Sequence, residues 1–212
     1  MAIKDLANVK GFKTTEGSPL YSERVARKDD QMVARLRAAG ALFIGKTNTP
    51  EFGLGSNTFN PVYGKTKNPY DLTRTCGGSS GGAAVALAAR MLSISDGSDM
   101  MGSLRNPAAW NNVYGLRPTW GLVPPEPSGE IFLSQLSTLG PMARSPKDLA
   151  LLLDVQANYF DNKSYVSQSK SFSNFTAQPR MKGIKIGWLG DWGGTLTFED
   201  ELLDLAQNAL NE

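Results

Sequence analysis

A short stretch rich in glycine and serine, residues 77–82, constrains this chain more than any other feature. The glycines on both sides of Ser79 and Ser80 permit tight turns, positive φ angles and close approach of the backbone to a neighbouring group. An alanine-rich segment follows and predicts a closely packed helix over 81–91. A second loop, 96–107, again places serine beside glycine. The sequence therefore predicts two serine-bearing loops that bracket a helix and a strand, and we expect the chemistry there.

The absence of histidine narrows what those serines can do. No Ser-His-Asp triad, Cys-His pair or histidine-ligated zinc can be built from this chain. A nucleophilic serine would need lysine, a carboxylate, or another hydroxyl backed by one of these as its base. The one cysteine, Cys76, excludes an intrachain disulfide and cannot alone form a thiolate metal site. Its thiol lacks an obvious activator, so we interpret Cys76 as a packed side chain.

Composition sets the broad class of protein. A chain of 212 residues with 41% hydrophobic and 20% charged residues is typical of a globular protein with a sizeable core. A net charge of +2, without a run of basic residues, does not predict the positively charged surface that is typical of nucleic-acid binding. No apolar stretch is long enough to span a bilayer, and no signal peptide is evident. We expect a cytoplasmic protein with no nucleic-acid partner and no membrane span.

Apolar periodicity and turn residues predict strands that alternate with helices, which is typical of an α/β protein. The predicted strands are 41–45, 92–95, 121–123 and 182–189. The predicted helices are 29–39, 81–91, 107–112, 146–160 and 198–210. Ser145 and Thr197 are the expected caps of the last two helices.

Several short motifs carry a resemblance to one family. The central motifs are 77–82, 96–99 and 102–108, and the others are 2–5, 45–48, 68–70, 115–118 and 140–144. In this order and spacing they resemble the amidase signature family of serine hydrolases, from residue 2 to about residue 190. The resemblance implies an α/β amidase signature fold with a mixed central sheet flanked by helices. Because members of the family are longer, we expect 1–212 to be a partial domain without the N-terminal helices and the C-terminal half.

The resemblance also implies a Ser–Ser–Lys triad. Lys4 matches the catalytic lysine, Ser79 the bridging serine that follows a cis peptide bond, and Ser103 the nucleophile that forms the acyl-enzyme. The oxyanion hole is matched by four backbone N–H groups, those of Met100, Met101, Gly102 and Ser103. Neither a metal nor a cofactor is implied.

Three further residues are expected to support this site. Ser80 adjoins the bridging serine, while Asp99 and Arg105 flank the nucleophile and are suited to a bidentate pair that holds the loop. Asp96 is interpreted as a structural cap. Met101 departs from the family, which often has glycine at this position; a backbone donor tolerates that change if its φ and ψ permit.

The triad has a physical logic of its own. A lysine ammonium cannot accept a proton, so Lys4 has to be neutral, through burial or a donor-rich neighbourhood that lowers its pKa. It would then take a proton from Ser79, which takes one from Ser103 as that oxygen attacks the amide carbonyl. The reverse relay would protonate the departing amine.

The function that this pattern favours is hydrolysis of the C–N bond of a small-molecule amide, and a homodimer is compatible with it. One alternative is the amidase-like subunit of a tRNA-dependent amidotransferase. Members of that group usually carry a Ser-Arg-Tyr-Gly-like segment where this chain has the proline-rich 121–127. This difference makes the amidotransferase alternative less favoured than the hydrolase. A third alternative is a truncated, non-catalytic remnant.

Overall fold

The computed structural model describes residues 1–126, 135–157, 171–174 and 183–211. The chain divides into two compact units, Met1–Thr176 and Ala177–Glu212. The strands, all in the first unit, are β1 (Ala2–Lys4), β2 (Gly45–Thr47), β3 (Phe59–Asn60), β4 (Gly64–Lys65), β5 (Ile94–Asp99), β6 (Tyr114–Gly115) and β7 (Thr138–Ala143). The helices of this unit are α1 (Gln31–Ala38), α2 (Gly81–Ala88), α3 (Arg105–Trp110) and α4 (Pro146–Ala157). In the second unit α5 spans Asp200–Asn211.

The strands form small sheets that meet at β1. Strand β1 runs parallel to β2, with Lys4 opposite Thr47, whereas β7 lies between β5 and β6 and is antiparallel to both. Strand β1 is fixed beside β5 by hydrogen bonds from Lys4 N to Asp96 Oδ1 at 2.9 Å and from Ser95 Oγ to Ala2 O at 3.0 Å. The predicted α/β class is confirmed. This junction places the end of β1 against the middle of β5.

Two clusters of buried apolar side chains pack the helices of the first unit against its strands. The first lies between β1, α1 and α4, and includes Ile3, Met32, Val33, Leu36, Leu152 and Leu153. The second packs α2 and α3 against the sheet, and includes Ala83, Ala84, Leu87, Leu104, Ala108 and Met142. Small residues let α2 approach closely, since a Cβ at Gly82 would lie 2.3 Å from Asn48 N. The N-terminus of α2, which follows Ser79 and Ser80, is thereby held against the end of β2.

All five predicted helices are confirmed, with some of their ends shifted. Ser145 caps α4 as expected: its Oγ accepts the Asp148 N–H at 3.1 Å and donates to the Asp148 carboxylate at 2.8 Å. Residues 158–160 of that prediction lie outside the described residues. The final helix begins at Asp200, later than predicted. Among the helices of the described ranges, none is both long and apolar enough to cross a membrane.

The strand predictions were less accurate. The prediction of a buried strand over 41–45 is wrong. The observed strand begins only at Gly45, where β1 provides a pairing partner. Leu42 and Ile44 before it are 81% and 71% exposed. Residues 121–123 form a turn, and their apolar character reflects burial in the core. Residues 183–189 pair with no strand in the described chain, so the strand 182–189 is wrong there; 182 is not described.

The central strand β7 was missed by sequence reasoning. It contains Gly140 and Pro141, and both residue types are unfavourable inside a strand. Glycine is required here because a Cβ at Gly140 would lie 2.5 Å from Leu116 O. The compact fit between the 115–118 segment and β7 therefore overrides the local preference.

Candidate active site

The predicted base, Lys4, lies at the end of β1 and is 1% exposed. Its Nζ contacts hydroxyl oxygens from two other segments of the chain: Ser79 Oγ at 2.7 Å, Ser80 Oγ at 2.9 Å and Ser98 Oγ at 2.9 Å. We call these four side chains the lysine–hydroxyl cluster. The structure thus joins the predicted lysine directly to the predicted bridging serine, although they are 75 residues apart in sequence.

Close packing of the backbone sets the position of Ser79. The Gly78–Ser79 peptide bond is cis, as the resemblance implied. A Cβ at Gly78 would lie 3.0 Å from Asn57 N, and one at Gly81 would lie 2.3 Å from Thr58 Oγ1. The glycines of the first loop are therefore required by space, and the loop is an ordered element rather than a flexible linker.

Burial controls the charge of the lysine. It lowers the pKa of Lys4 to about 7, against the opposing effect of the negative charges of Asp96 and Asp99. Burial likewise raises the pKa of Asp96 to about 6, although the Lys4 N–H and nearby lysine charges favour its ionised form. Asp96 therefore caps the end of β1, as interpreted from sequence, and also acts on the charge of Lys4.

The predicted nucleophile, Ser103, is half-buried in the turn before α3. Its loop is tied to the first serine loop by a hydrogen bond from Ser80 N to Ser103 O at 3.2 Å. Within the ranges the structure describes, the Ser103 hydroxyl makes no hydrogen bond, so no direct bond joins it to Ser79. The two loops are neighbours, and Ser103 Oγ is left available.

Asp99 is the anchor of the second loop. Its buried carboxylate accepts the N–H groups of Gly102 at 2.7 Å and Leu104 at 3.1 Å. Arg105 donates to both oxygens, from Nε at 3.0 Å and Nη2 at 3.1 Å, which confirms the predicted bidentate pair. A second guanidinium, that of Arg117, lies 3.4 Å away. Burial alone would raise the pKa of Asp99, but Arg105 and the two backbone amides lower it to about 2.

This anchor affects the predicted oxyanion donors. Because the Gly102 N–H donates to Asp99, it is engaged inside the loop. The N–H groups of Met100, Met101 and Ser103 have no acceptor among the described residues. The Met101 side chain is 82% exposed, so a residue larger than glycine is accommodated at this position.

Ser98 belongs to the cluster but was not singled out from sequence. Strand β5 alternates its faces, so Asp96 and Ser98 point to the same side, towards Lys4. The same period-two pattern, extended beyond residue 95, could have identified it. Ser80 was predicted as a supporting residue, and it contacts the Lys4 amine directly.

Two other features bear on the site. The Cys76 thiol is buried, donates to Thr66 O at 3.1 Å and has its pKa raised by burial, which agrees with a packed side chain. A cavity of about 330 Å³ opens on the Lys4 and Asp96 side, and its lining includes neither Ser79 nor Ser103. In the described chain, no group of three or more Cys, Asp and Glu side chains is placed to hold a metal ion.

Comparison with known proteins gives the family of the chain. The Amidase family model matches residues 1–211, and the chain therefore belongs to the amidase (amidase signature) family. A glutamyl-tRNA(Gln) amidotransferase subunit from Thermus thermophilus is 50% identical over 158 residues, which cover 74% of this chain and 33% of that protein. The protein of the same name from Deinococcus deserti is 40% identical over 210 residues, or 98% of this chain and 43% of that protein.

Solved structures give the same result. A 6-aminohexanoate cyclic dimer hydrolase has a TM-score of 0.75 and 35% identity, covering 81% of this chain and 37% of the hydrolase. The glutamyl-tRNA(Gln) amidotransferase subunit from Thermotoga maritima has a TM-score of 0.71 and 33% identity, covering 80% and 38%. The chain thus spans about a third to two fifths of the length of the curated relatives above.

Proposed function

We propose that this chain carries the catalytic centre of an amide hydrolase, which cleaves a carboxamide C–N bond through an acyl-enzyme on Ser103. The observation that carries the proposal is the contact between the buried Lys4 Nζ and Ser79 Oγ at 2.7 Å. A lysine with a pKa of about 7 is substantially neutral at physiological pH, so it can serve as a general base.

The three hydroxyls around Lys4 suit a neutral amine. Such an amine has two N–H donors and one lone pair. Donation to Ser80 and Ser98 uses both donors, and the lone pair then accepts the proton of Ser79, the nearest hydroxyl. The Ser79 oxygen is thereby prepared to accept a proton in turn.

The proposed reaction moves one proton forwards and then back. As Ser103 Oγ bonds to the amide carbon, its proton passes to Ser79 and that of Ser79 passes to Lys4. When the C–N bond breaks, the reverse relay delivers a proton to the departing amine. Water then attacks the acyl-enzyme through the same relay, releasing the carboxylic acid and restoring Ser103.

The oxyanion of the tetrahedral intermediate needs fixed donors. The candidates are the N–H groups of Met100, Met101 and Ser103, which have no acceptor among the described residues. Each donor of this kind is typically worth about 3–4 kcal/mol to the transition state. Asp99, by engaging the intervening Gly102 amide, holds the loop that presents them.

A second candidate function is that of an amidotransferase component. The two curated relatives named for glutamyl-tRNA(Gln) amidotransferase, at 40% and 50% identity, favour it despite the different 121–127 segment. In that role the same site would free the amide nitrogen for transfer to glutamyl-tRNA(Gln), and the chain would bind partner subunits. Transfer of ¹⁵N from a labelled amide donor to glutamyl-tRNA(Gln) would support it, whereas release of free ammonium alone supports the hydrolase.

The nucleophile is tested with a fluorophosphonate probe. We expect labelling of the wild-type chain and of Ser93→Ala, which alters an exposed serine, and none of Ser103→Ala. Equal labelling of Ser103→Ala and wild type would remove Ser103 from the mechanism. A folded wild-type chain that takes up no label would favour the non-catalytic remnant.

A further inference from the structure

The Asp99 main-chain carbonyl is held by two side chains that the mechanism has not used. Thr138 Oγ1 donates to Asp99 O at 3.3 Å, and Arg117 Nε donates to the same oxygen at 3.4 Å. Both donors come from outside the loop that carries Ser103. The carboxylate of Asp99 takes its hydrogen bonds from within its own loop, although the same Arg117 Nε also lies 3.4 Å from one of its oxygens.

The contact on this carbonyl determines where the next amide points. The described chain has one cis peptide bond, at Gly78–Ser79, so the Asp99–Met100 peptide is trans. In a trans peptide the C=O and the following N–H point in opposite directions across one plane. Fixing Asp99 O on the side of Arg117 and Thr138 therefore fixes the Met100 N–H on the opposite side.

We infer that Arg117 and Thr138 are positioning residues, which hold the Asp99–Met100 peptide so that the Met100 N–H is aimed at the developing oxyanion. This inference rests on the proposed hydrolase chemistry at Ser103. The Met100 N–H has no acceptor among the described residues, as an amide reserved for a reacting group should.

Both positioning residues are themselves held by contacts with other parts of the fold. Thr138 opens β7, is 5% exposed and lies directly opposite Asp99 in the register of β5 and β7. Arg117 Nη2 donates to Leu136 O at 2.7 Å. Its backbone neighbour is also fixed, since Leu116 N donates to Pro141 O at 3.2 Å. The sheet therefore supports the peptide from the side opposite the Met100 N–H.

A hydrogen bond to the preceding carbonyl also orients the N–H of the proposed nucleophile. Gly102 O accepts the N–H of Asn106 at 2.7 Å, which orients the Gly102–Ser103 peptide and so the Ser103 N–H. Glycine is needed at 102 because its φ is +117° and an added Cβ would lie 2.8 Å from the Asn106 side chain. Helix α3 thus orients one candidate donor, and β7 with Arg117 orients another.

The test compares Thr138→Val, which removes the hydroxyl, with Thr138→Ser, which keeps it. Inactivation by the fluorophosphonate probe is separated into its maximal rate and its half-saturating concentration. Because the oxyanion develops only in the transition state, we expect Thr138→Val to lower the maximal rate about tenfold with the half-saturating concentration unchanged. Thr138→Ser should restore the rate. Arg117→Met, a second variant at a different position, should show the same rate defect.

A second measurement is independent of the chemistry. The ¹⁵N order parameter of the Met100 amide should be near the rigid value of about 0.85 in wild type and Thr138→Ser, and lower in Thr138→Val. An unchanged order parameter, or equal rate losses in the Val and Ser variants, would overturn the inference. If the wild type takes up no label, the proposed hydrolase function fails, while the order parameters still decide whether Thr138 holds this peptide.

Discussion

The lysine–hydroxyl cluster and the surroundings of the Asp99 carboxylate both bury an ionisable group, but they have opposite effects on its charge. Around Lys4 Nζ the partners are hydroxyls, and burial lowers the pKa of the amine to about 7. Around Asp99 the partners are guanidinium and backbone N–H donors, and the carboxyl keeps its charge with a pKa of about 2. Hydroxyls can donate or accept, so they satisfy either form of the lysine. Guanidinium groups only donate, so they fix the anion.

In the proposed mechanism, the difference separates a group that exchanges protons from one that holds its loop in place. A base has to pass between two protonation states near the working pH, and the lysine–hydroxyl cluster permits this. A scaffold ion should not titrate, and Asp99 remains ionised throughout the physiological range. Burial alone would not tell the two sites apart; the chemistry of the partners does.

Removal of the amine should give the largest effect. Lys4→Met keeps an apolar stem in the buried position and removes the base, so we expect the labelling rate of Ser103 to fall about 10²–10⁴-fold. Rates of fluorophosphonate labelling, with circular dichroism to confirm folding, measure this. Lys147→Met, an exposed lysine in α4, is the matched control and should label like wild type. A rate for Lys4→Met within twofold of wild type would remove Lys4 from the relay.

Removal of the scaffold charge should act on stability. Asp99→Asn loses the anion that receives Arg105 and the loop amides, and hydrogen bonds to charged groups contribute about 1.5–3 kcal/mol each. We therefore expect the free energy of unfolding, measured in urea, to drop by about that amount. Asp71→Asn removes an exposed partner of Arg74 and should leave the urea midpoint unchanged. If the two variants have the same midpoint, Asp99 is not the anchor described above.

A smaller effect is expected within the lysine–hydroxyl cluster. Ser98→Ala removes one of the acceptors of Lys4 Nζ while Ser79 and Ser80 remain. A single hydrogen bond is worth about 1 kcal/mol, so the labelling rate should fall about fivefold. The Ser93→Ala chain is the reference for serine loss at a site outside the cluster. A loss as large as that of Lys4→Met would mean that Ser98, not Ser79, is the proton carrier.

The sequence predicts the contacts of the candidate site more completely than it predicts the strands of the fold. Lys4 and Ser79 could be singled out because short ordered motifs resemble one family, and the Asp99–Arg105 pair because the two charges flank Ser103. Strand β7 could not, because its Gly140 and Pro141 suit a tertiary fit that no local pattern encodes.

The sequence also could not predict which backbone N–H groups are already hydrogen-bonded to a side chain. A run of residues predicts a donor-rich loop, but which N–H is taken by a side chain depends on the folded geometry. Gly102 donates to Asp99, and only the structure shows it. The contacts of Thr138 and Arg117 with the Asp99 carbonyl likewise join segments that are distant in sequence.

The protonation of Lys4 is the central claim, and an NMR titration of its side-chain ¹³Cε and ¹⁵Nζ signals, assigned with Lys4→Met, tests it most directly. With a pKa of about 7 the free amine, which is the active form of the proposed base, becomes the majority form as the pH rises through 7. The labelling rate should therefore rise about tenfold per pH unit below 7 and level off above it. We predict a Lys4 transition near pH 7, matching that rate profile. A Lys4 transition at about 10.4, the reference value for a lysine side chain in a model peptide, would contradict it.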